Sequence, residues 1–474
     1  MHDADKIGAV TLRVAQWGAG LKFRDIPENV ITYAKLLLLD GIGCTVFGSQ
    51  RQAGRSLFEF VAGSGNEKPE ATIWGYGRKV GTRAAGLVNG TAAHTTNIGD
   101  THRATLLHTN YITPQAAIAV AEKEGKRGRD IITAIIAGNE VGTRAGIAVH
   151  IALEGGYFTP ESRGWHSTGT IGALAAAVSA GRLLGLNADK MVQAMVMGGA
   201  QLTGMYRPCG PYMGKHWYAG KAVANGIESA YLASSGFIAG YRLFEDGLCY
   251  GSGIISPVHE LEAASRRLGT TWETLNVDMA IYPAKKTYYP NLDAVRHIVK
   301  SERIRFKDID KIVVRSAFMT SHAFGAFYEP RNATEAFNSL RHAIAAAAHD
   351  GEYGFAQLEK KKFSDPEILA FAKDRIEIIR DPELEKLLPE KWPGAADVYT
   401  KDGRHFFKRF DYHIGQVQNP IPKEEVGNKF RQMASMVGDK NADAIIDMID
   451  DFERLDDISR LTRLFRPMKA RTVV

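Results

Sequence analysis

The sequence predicts a mainly α-helical protein with a smaller α+β domain in its second half. Two patterns support this fold class. Apolar residues recur at helical spacing through most of residues 1–267, where glycine and alanine are frequent. From residue 268 onward, short runs typical of strands alternate with helical segments, as in an α+β domain. A chain of 474 residues is long enough to form more than one domain.

Three long helices are predicted in the first part. The first follows Pro27, and its segment Leu36–Leu39 is apolar on all sides, so we expect this helix to be deeply buried. The second helix covers Asp130–Ile151. The third covers His166–Leu184, where small residues dominate the interior and Gly185 provides a suitable C-terminal stop. Helices so rich in alanine and glycine are expected to pack closely together.

The second part alternates between strands and helices. Strands are predicted at Val277–Ile281, Ile312–Val314, Ile376–Ile379 and Val398–Tyr412, and helices at Asp293–Lys300 and Thr334–His349. Lys401-Asp402-Gly403 predicts a turn within the last of these strands. Pro420 and Pro422 mark a break, after which the chain is helical and charged from Glu424 to about Phe465.

The composition excludes several classes of protein. The 59 Lys and Arg residues against 53 Asp and Glu give a net charge of +6, a mild excess without the basic stripe of a nucleic-acid-binding protein. Three cysteines without a CxxC pair argue against disulfides and favour a reducing compartment. The sequence shows no signal peptide and no apolar run of about 18 residues. We therefore expect a cytoplasmic protein that binds neither nucleic acid nor membrane.

The segment Asn89–Pro114 is the first candidate for an active site. Threonines are frequent in it, and its ionisable and amide side chains include His94, Asn97, Asp100, His102 and His108. A structural loop has little need for so much titratable and hydroxyl chemistry in 26 residues. The segment therefore predicts a site of proton transfer or ligand binding.

Three further positions carry reactive groups after glycine-rich or basic loops. His166 stands at a predicted helix start, where the positive helix end lowers its pKa and favours a neutral base; a simple N-cap residue is the alternative. Lys215 and Lys221 lie near another helix start, where carboxylates bind well, although a solvated lysine fits equally. Lys286, within Lys285–Pro290, is expected to bring positive charge over a ligand.

No cofactor or metal site is predicted. The loop beginning at Gly63 lacks the third glycine of a dinucleotide fingerprint, and no phosphate-binding P-loop motif occurs. His102 and His108 have no partner acid at HExxH spacing. His342 and His349 share one helix face across a stretch of isoleucine and alanine, which favours a core or interface role.

The remaining residues suit proton chemistry on a polycarboxylate. Histidine is the usual base near neutral pH, cations neutralise a developing enediolate, and a second acid–base group directs the outcome. Dehydration, decarboxylation and epimerisation all meet this description. The residues alone leave these three reactions open.

Five short motifs follow one another along nearly the whole chain. They are Asn89-Gly-Thr-Ala-Ala-His, Asp100-Thr101 with His108, Gly164-Trp165-His166, Lys215 with its helix, and Asn419-Pro420 with the helix start Glu424–Phe430. In this order and spacing, the chain resembles the MmgE/PrpD family, which includes 2-methylcitrate dehydratase, cis-aconitate decarboxylase and iminodisuccinate epimerase. The resemblance implies a large all-helical domain, residues 1–267 and 413–474, with a smaller α+β lid domain, residues 268–412, inserted between them.

The resemblance also implies an active site in the cleft, homodimers, and neither metal nor organic cofactor. It implies that His108 and His166 are catalytic, that Lys215 faces the substrate, and that Asp100 and Thr101 form an acidic loop. On this basis we expect catalysis by Asp100, His108, His166 and Lys215, and substrate binding by Asn97, Thr101, His102, Lys286 and His322.

The chain departs from the family pattern in the acidic loop. Asn97 stands where many members carry an acidic residue, which disfavours a methylcitrate dehydratase. His102, or His322 in a segment similar to fungal-type aconitate decarboxylases, is expected to replace the missing acid–base function. A cofactor-independent lyase acting on a small di- or tricarboxylate is therefore the first hypothesis. A two-base racemase or epimerase, and a family member that only binds its ligand, are the alternatives.

Overall fold

The computed structural model describes residues 8–65, 68–96, 98–149, 151–153, 156–158, 164–205, 209, 212–245, 260–317, 328–388 and 390–468. It is 61% helical, which confirms the mainly α-helical fold class. The chain forms two compact units, the first from residues 1–279 and 422–474 and the second from residues 280–421. The boundaries predicted from the sequence lie after residues 267 and 412.

Helices make up most of the first unit. Those before the second unit are α1 (Ala9–Gly20), α2 (Glu28–Ser49), α3 (Gln52–Gly63), α4 (Thr82–His94), α5 (Thr113–Glu124), α6 (Gly128–Val149), α7 (Ser167–Thr170), α8 (Gly172–Leu183), α9 (Ala188–Ala200) and α10 (Gly214–Ser234). The predicted helix after Pro27 is α2, and the one predicted at Asp130–Ile151 is α6. The helix predicted at His166–Leu184 begins at Ser167 and is divided at Ile171 into α7 and α8.

Helix α2 is the buried helix expected from its sequence. Leu37, Leu38 and Cys44 are at most 1% exposed. Among the described residues, α2 alone is long and apolar enough to cross a membrane, and 72% of its apolar window is buried within the structure. A core helix gives the same pattern, since it is apolar on every side.

Close packing of α4 against α10 explains why small residues are frequent in both helices. A Cβ added to Gly90 would lie 3.0 Å from the Cα of Gly220, and one added to Gly220 would overlap the carbonyl oxygen of Leu87. The two helices run antiparallel through this contact. As a result, the C-terminal residue of α4, His94, reaches the first turn of α10, where His216 lies.

The first unit also contains short strands, so the prediction of an all-helical domain was incomplete. Three antiparallel ribbons are formed by β1 (Ala71–Ile73) with β2 (Arg78–Val80), β3 (Thr101–His102) with β6 (Val277–Asp278), and β4 (Ile151–Leu153) with β5 (Gly156–Phe158). Strands of two or three residues are too short for a periodic pattern. The β3–β6 ribbon pairs Thr101 with Asp278 and so holds the middle of the candidate segment Asn89–Pro114 in place.

The second unit has the α+β character that the sequence predicts. Its four-stranded sheet has the order β10-β9-β7-β8, with β7 (Ile309–Ser316), β8 (Ile376–Arg380), β9 (Gly394–Thr400) and β10 (His405–Phe410). Only β7 and β8 pair in parallel. The helices are α11 (Tyr289–Ser301), α12 (Ala333–Asn338), α13 (Leu340–Asp350), α14 (Lys360–Phe363), α15 (Pro366–Asp374) and α16 (Pro382–Glu385).

Capping and turn residues divide two elements that the sequence predicts as single. The predicted helix Thr334–His349 is interrupted where the side chain of Ser339 accepts a hydrogen bond from the backbone N–H of His342 and starts α13. The predicted strand Val398–Tyr412 is the hairpin β9–β10, turned at residues 401–403 as expected. The C-terminal segment returns to the first unit as α17 (Lys423–Met433), α18 (Asp439–Asp450) and α19 (Ser459–Thr462).

Candidate active site

Four histidines from separate elements of the first unit meet in one place. They are His94, His108, His166 and His216, which we call the histidine cluster. The His94 ring is central, with centroid distances of 5.4 Å to His108, 5.0 Å to His166 and 5.3 Å to His216. His94 and His166 are buried, and His108 and His216 are partly exposed. Such a concentration of imidazoles is a candidate for proton transfer.

Hydrogen bonds fix the orientation of His108. Its Nδ1 lies 2.5 Å from the backbone oxygen of Asp100 and 3.1 Å from Oγ1 of Thr101. Since a carbonyl oxygen can only accept, Nδ1 carries the proton. In the neutral ring, Nε2 is then the basic nitrogen, which is the tautomer that a general base requires.

The loop that carries His108 is braced from within. Oδ2 of Asp100 accepts hydrogen bonds from the Thr109 hydroxyl and, at 3.0 Å, from the backbone N–H of Asn110. The Tyr111 hydroxyl accepts the N–H of Gly99 at 2.7 Å, and a side chain at Gly99 would overlap the Tyr111 ring. These contacts give Asp100 a positioning role in the loop. Its predicted catalytic participation stays a prediction.

Backbone contacts hold His166 beside this loop. Its N–H donates to the carbonyl of Gly204 at 2.7 Å, and Gly204 has a φ of +103° that favours glycine. Thr168, two residues further on, accepts the backbone N–H of His108 at 3.2 Å. The pKa of His166 lies well below its usual value because the ring is buried, with further lowering by Lys215, His108 and His216. The sequence predicted this direction, but it attributed the shift to the helix end.

His94 and His216 form a direct pair. Their Nδ1 atoms are 3.1 Å apart, so one of the two rings donates to the other. Burial lowers the pKa of His94 well below its usual value, and nearby His166 and Lys215 lower it further. Burial and then Lys215 lower the pKa of His216 to about 3. Both rings are therefore neutral at physiological pH.

Lys215 supplies positive charge to the cluster. It lies in the first turn of α10, and burial lowers its pKa to about 8. The neighbouring charges that shift the pKa values of His94 and His166 all come from basic residues. The local field therefore favours an anionic ligand.

Three of these histidines also have the donor atoms of a metal site. One ring nitrogen from each of His94, His108 and His166 lies within 4.8 Å of the others. Imidazole nitrogens are common zinc ligands. However, the neighbouring charges that shift the pKa values of His94 and His166 come from basic residues, and the positive charge of Lys215 opposes a cation. The residues therefore fit proton transfer better than metal binding.

The other predicted site residues are distributed differently. Thr101 lies in the site beside His108, whereas His102 turns both ring nitrogens to the protein: Nδ1 lies 3.0 Å from Oγ1 of Thr105 and Nε2 lies 3.2 Å from Glu273. Lys286 belongs to the second unit, in a single helical turn at Lys286–Tyr288. Asn97 and His322 lie outside the described residues. Substrate binding by these residues stays a prediction.

Two members of the cluster were not among the predicted site residues. His94 belongs to the candidate segment but is not among the expected catalytic or substrate-binding residues, and neither is His216, which directly follows Lys215. The glycines of α4 and α10 are the sequence feature that could have indicated a role for His216. Gly90 and Gly220 predict a close helix contact, and that contact brings the two histidines together.

Comparisons with known proteins cover both units. The sequence profile of the MmgE/PrpD N-terminal domain matches residues 12–254, and that of the MmgE/PrpD C-terminal domain matches residues 282–454. The cis-aconitate decarboxylase of Aspergillus terreus (strain NIH 2624 / FGSC A1156) is 27% identical over 494 residues, which cover 99% of this chain and 98% of that protein. The cis-aconitate decarboxylases of Mus musculus and Homo sapiens are each 24% identical, with 94% of this chain and 91% and 92% of those proteins covered.

Proposed function

This chain belongs to the MmgE/PrpD family, and on that premise we propose that it is a cofactor-independent lyase acting on a small di- or tricarboxylate. Decarboxylation of cis-aconitate is the reaction to test first, because several relatives carry that name. The observation that carries the proposal is the histidine cluster beside Lys215. It brings neutral imidazoles and a cation together, and both are needed for proton transfer next to a carboxylate.

The histidines and Lys215 have different roles in the proposed reaction. Because burial keeps His166 uncharged near pH 7, it is available to accept a proton, and His108 presents a basic Nε2 when neutral. Lys215, with a pKa lowered to about 8, is still mostly charged at pH 7. It therefore pairs with a substrate carboxylate and offsets the negative charge that builds up during the reaction.

Decarboxylation of cis-aconitate uses these groups in order. The bond to one carboxylate carbon breaks and carbon dioxide leaves, while the electron pair of that bond remains on the substrate. The pair spreads through the double bond towards a remaining carboxylate, where Lys215 stabilises it. A proton then adds to carbon, delivered by His108 or His166, and one proton is consumed for each carbon dioxide released.

Epimerisation is the second candidate, favoured by the placement of His108 and His166. Their ring centroids are 6.1 Å apart, with an angle of 35° between the planes. Two bases at that separation can serve one carbon, one removing its proton and the other returning a proton to the opposite face. No carbon dioxide is released in this case.

Proton NMR in deuterium oxide with chelator present distinguishes these reactions. The purified protein is incubated separately with cis-aconitate, citrate, 2-methylcitrate and a chiral amino dicarboxylate. A decarboxylase releases carbon dioxide and leaves one deuterium in each product molecule. An epimerase exchanges the α proton without net loss of substrate. If none of these acids is consumed or exchanged, the proposed chemistry is wrong.

Matched variants connect any turnover to the cluster. His108→Gln and His166→Gln keep polar side chains but remove the titrating ring, and each should lower kcat at least about 100-fold. His342→Gln is the control, because His342 is a buried histidine of the second unit and lies outside the histidine cluster. Equal losses in all three variants would point to general misfolding instead of catalysis.

A further inference from the structure

The pair formed by His94 and His216 leaves one buried polar atom without a partner among the described residues. Nδ1 of His94 faces Nδ1 of His216 at 3.1 Å, and His94 is 0% exposed. Its other nitrogen, Nε2, has no hydrogen-bond partner among the residues that the structure describes. Buried polar atoms are nearly always hydrogen-bonded, so an unpaired one in a cluster of reactive side chains is a candidate for binding a polar ligand.

The environment of His216 determines which nitrogen of His94 carries the proton. The His216 ring also interacts with the backbone carbonyl of His94, the one contact that raises the pKa of His216 against its burial. That carbonyl can only accept a hydrogen bond. We assign the donating hydrogen to Nδ1 of His216, because this is the nitrogen that faces Nδ1 of His94 at 3.1 Å. His94 then has a bare Nδ1 and carries its proton on Nε2.

An Nε2–H on His94 belongs to the central ring of the histidine cluster. A ring nitrogen of His94 lies within 4.8 Å of ring nitrogens of His108 and His166. A neutral imidazole is a far weaker acid than an imidazolium ion. It therefore donates a hydrogen bond to a developing negative charge without giving up its proton.

We propose that His94 donates its Nε2–H to a carboxylate oxygen of the substrate and that His216 is the positioning residue that holds His94 in this tautomer. The inference rests on the proposed function, since it assumes a carboxylate substrate. It gives His94 a role in substrate binding, which the sequence does not predict for this residue. It also separates the donor of a hydrogen bond, His94, from the residues that transfer protons, His108 and His166.

The first test observes the tautomer directly and needs no turnover. Protein labelled with ¹⁵N-histidine is examined by two-bond ¹H–¹⁵N NMR, and the His94 and His216 signals are assigned from His94→Gln and His216→Gln spectra. The expected result is a neutral Nε2–H ring for His94 and a neutral Nδ1–H ring for His216 between pH 6 and 8. Addition of tricarballylate, an unreactive tricarboxylate, should shift the His94 Nε2–H signal. An Nδ1–H tautomer of His94, or no shift at saturating tricarballylate, overturns the proposal.

Kinetics provide the second test. His94→Phe keeps a flat ring but removes the donor, and kcat/KM should fall about 10- to 100-fold, the usual effect of losing a hydrogen bond to a charged group. His94→Gln retains an N–H donor and should recover part of that loss. His216→Phe should lower kcat/KM less than His94→Phe and move the His94 signal towards a mixture of tautomers. Wild-type kcat/KM in a folded His94→Phe protein overturns the proposal.

These outcomes separate the inference from the proposed function. If the wild-type protein converts no carboxylate, the proposed function fails, while the tautomer and the tricarballylate shift still decide the role of His94. If His94→Phe does not fold, the His94→Gln kinetics and the wild-type NMR spectrum remain decisive. His342→Phe is the matched control, and its kcat/KM should equal that of the wild type.

Discussion

Acidification should destabilise this protein through its buried histidines. The pKa values of His94, His166 and His216 are all lowered, mainly by burial. In the unfolded chain these rings are solvated and titrate near pH 6.5. A group whose pKa is lower in the folded state binds more protons when unfolded. Its stabilising contribution is therefore complete above about pH 6.5 and is lost as the pH falls below that value.

The size of the effect follows from proton linkage. A histidine that is protonated only in the unfolded state changes the free energy of unfolding by about 1.4 kcal/mol per pH unit below its unfolded pKa. Together with His342, whose pKa burial lowers to about 4, these three rings predict a loss of about 5.5 kcal/mol between pH 7.5 and pH 5.5. For His216, whose pKa is lowered to about 3, the loss continues to that pH.

Urea unfolding at pH 7.5, 6.5 and 5.5, followed by tryptophan fluorescence, measures this dependence. His216→Phe should reduce the loss between pH 7.5 and 5.5 by about 1.4 kcal/mol relative to the wild type. Burial raises the pKa values of Glu140 and Asp293, so these carboxyl groups also contribute to the pH dependence. Their contribution is the same in both proteins and cancels when the variant is compared with the wild type. His297→Gln, at an exposed position, is the control that should leave the dependence unchanged. Identical pH dependences for wild type and His216→Phe would refute the reasoning.

Three further outcomes follow from single contacts. As the pH rises through about 8, kcat/KM should fall because Lys215 loses its charge. The pH–rate profile of Lys215→Met should not show this fall; if the fall persists in that variant, another group causes it. Lys429→Met leaves Asp40 buried and unpaired and should lower the free energy of unfolding by about 3–5 kcal/mol in urea, partly restored by adding Asp40→Asn. Gly99→Ala should cost about 1–3 kcal/mol in thermal melts because a methyl group overlaps Tyr111; an unchanged melt would contradict the tight contact.

Much of the fold could be predicted because its long helices carry periodic apolar patterns. The burial of α2 follows from the apolar Leu36–Leu39 segment, and the turn at residues 401–403 follows from its glycine. The breaks at Ile171 and Ser339 could not be derived in the same way. They depend on backbone conformation and on side-chain caps, which compete with helical periodicity within a single turn.

The candidate site was predictable where it is local in sequence. His108, Thr101 and Asp100 lie within nine residues of one another, and the loop hydrogen bonds join them directly. The partnership of His94 with His216 spans 122 residues and arises from helix packing. Single residues show their chemistry in the sequence, whereas such distant partnerships appear only once the helices are placed. Homodimer formation and a cytoplasmic location stay predictions, which light scattering and cell fractionation would check.

The C-terminal segment contributes to the candidate site without supplying a reactive group. Nζ of Lys429 in α17 lies 2.5 Å from Oδ1 of Asp40 in α2 and donates to the carbonyl of Ile98 at 2.8 Å. Ile98 directly precedes Gly99 and Asp100, the residues that brace the His108 loop. The carboxylate of Asp40 balances the charge of the buried ammonium group, and the Ile98 carbonyl accepts one of its remaining hydrogens. A residue 331 positions away therefore helps to hold the start of the reactive loop, within a unit that both ends of the chain form.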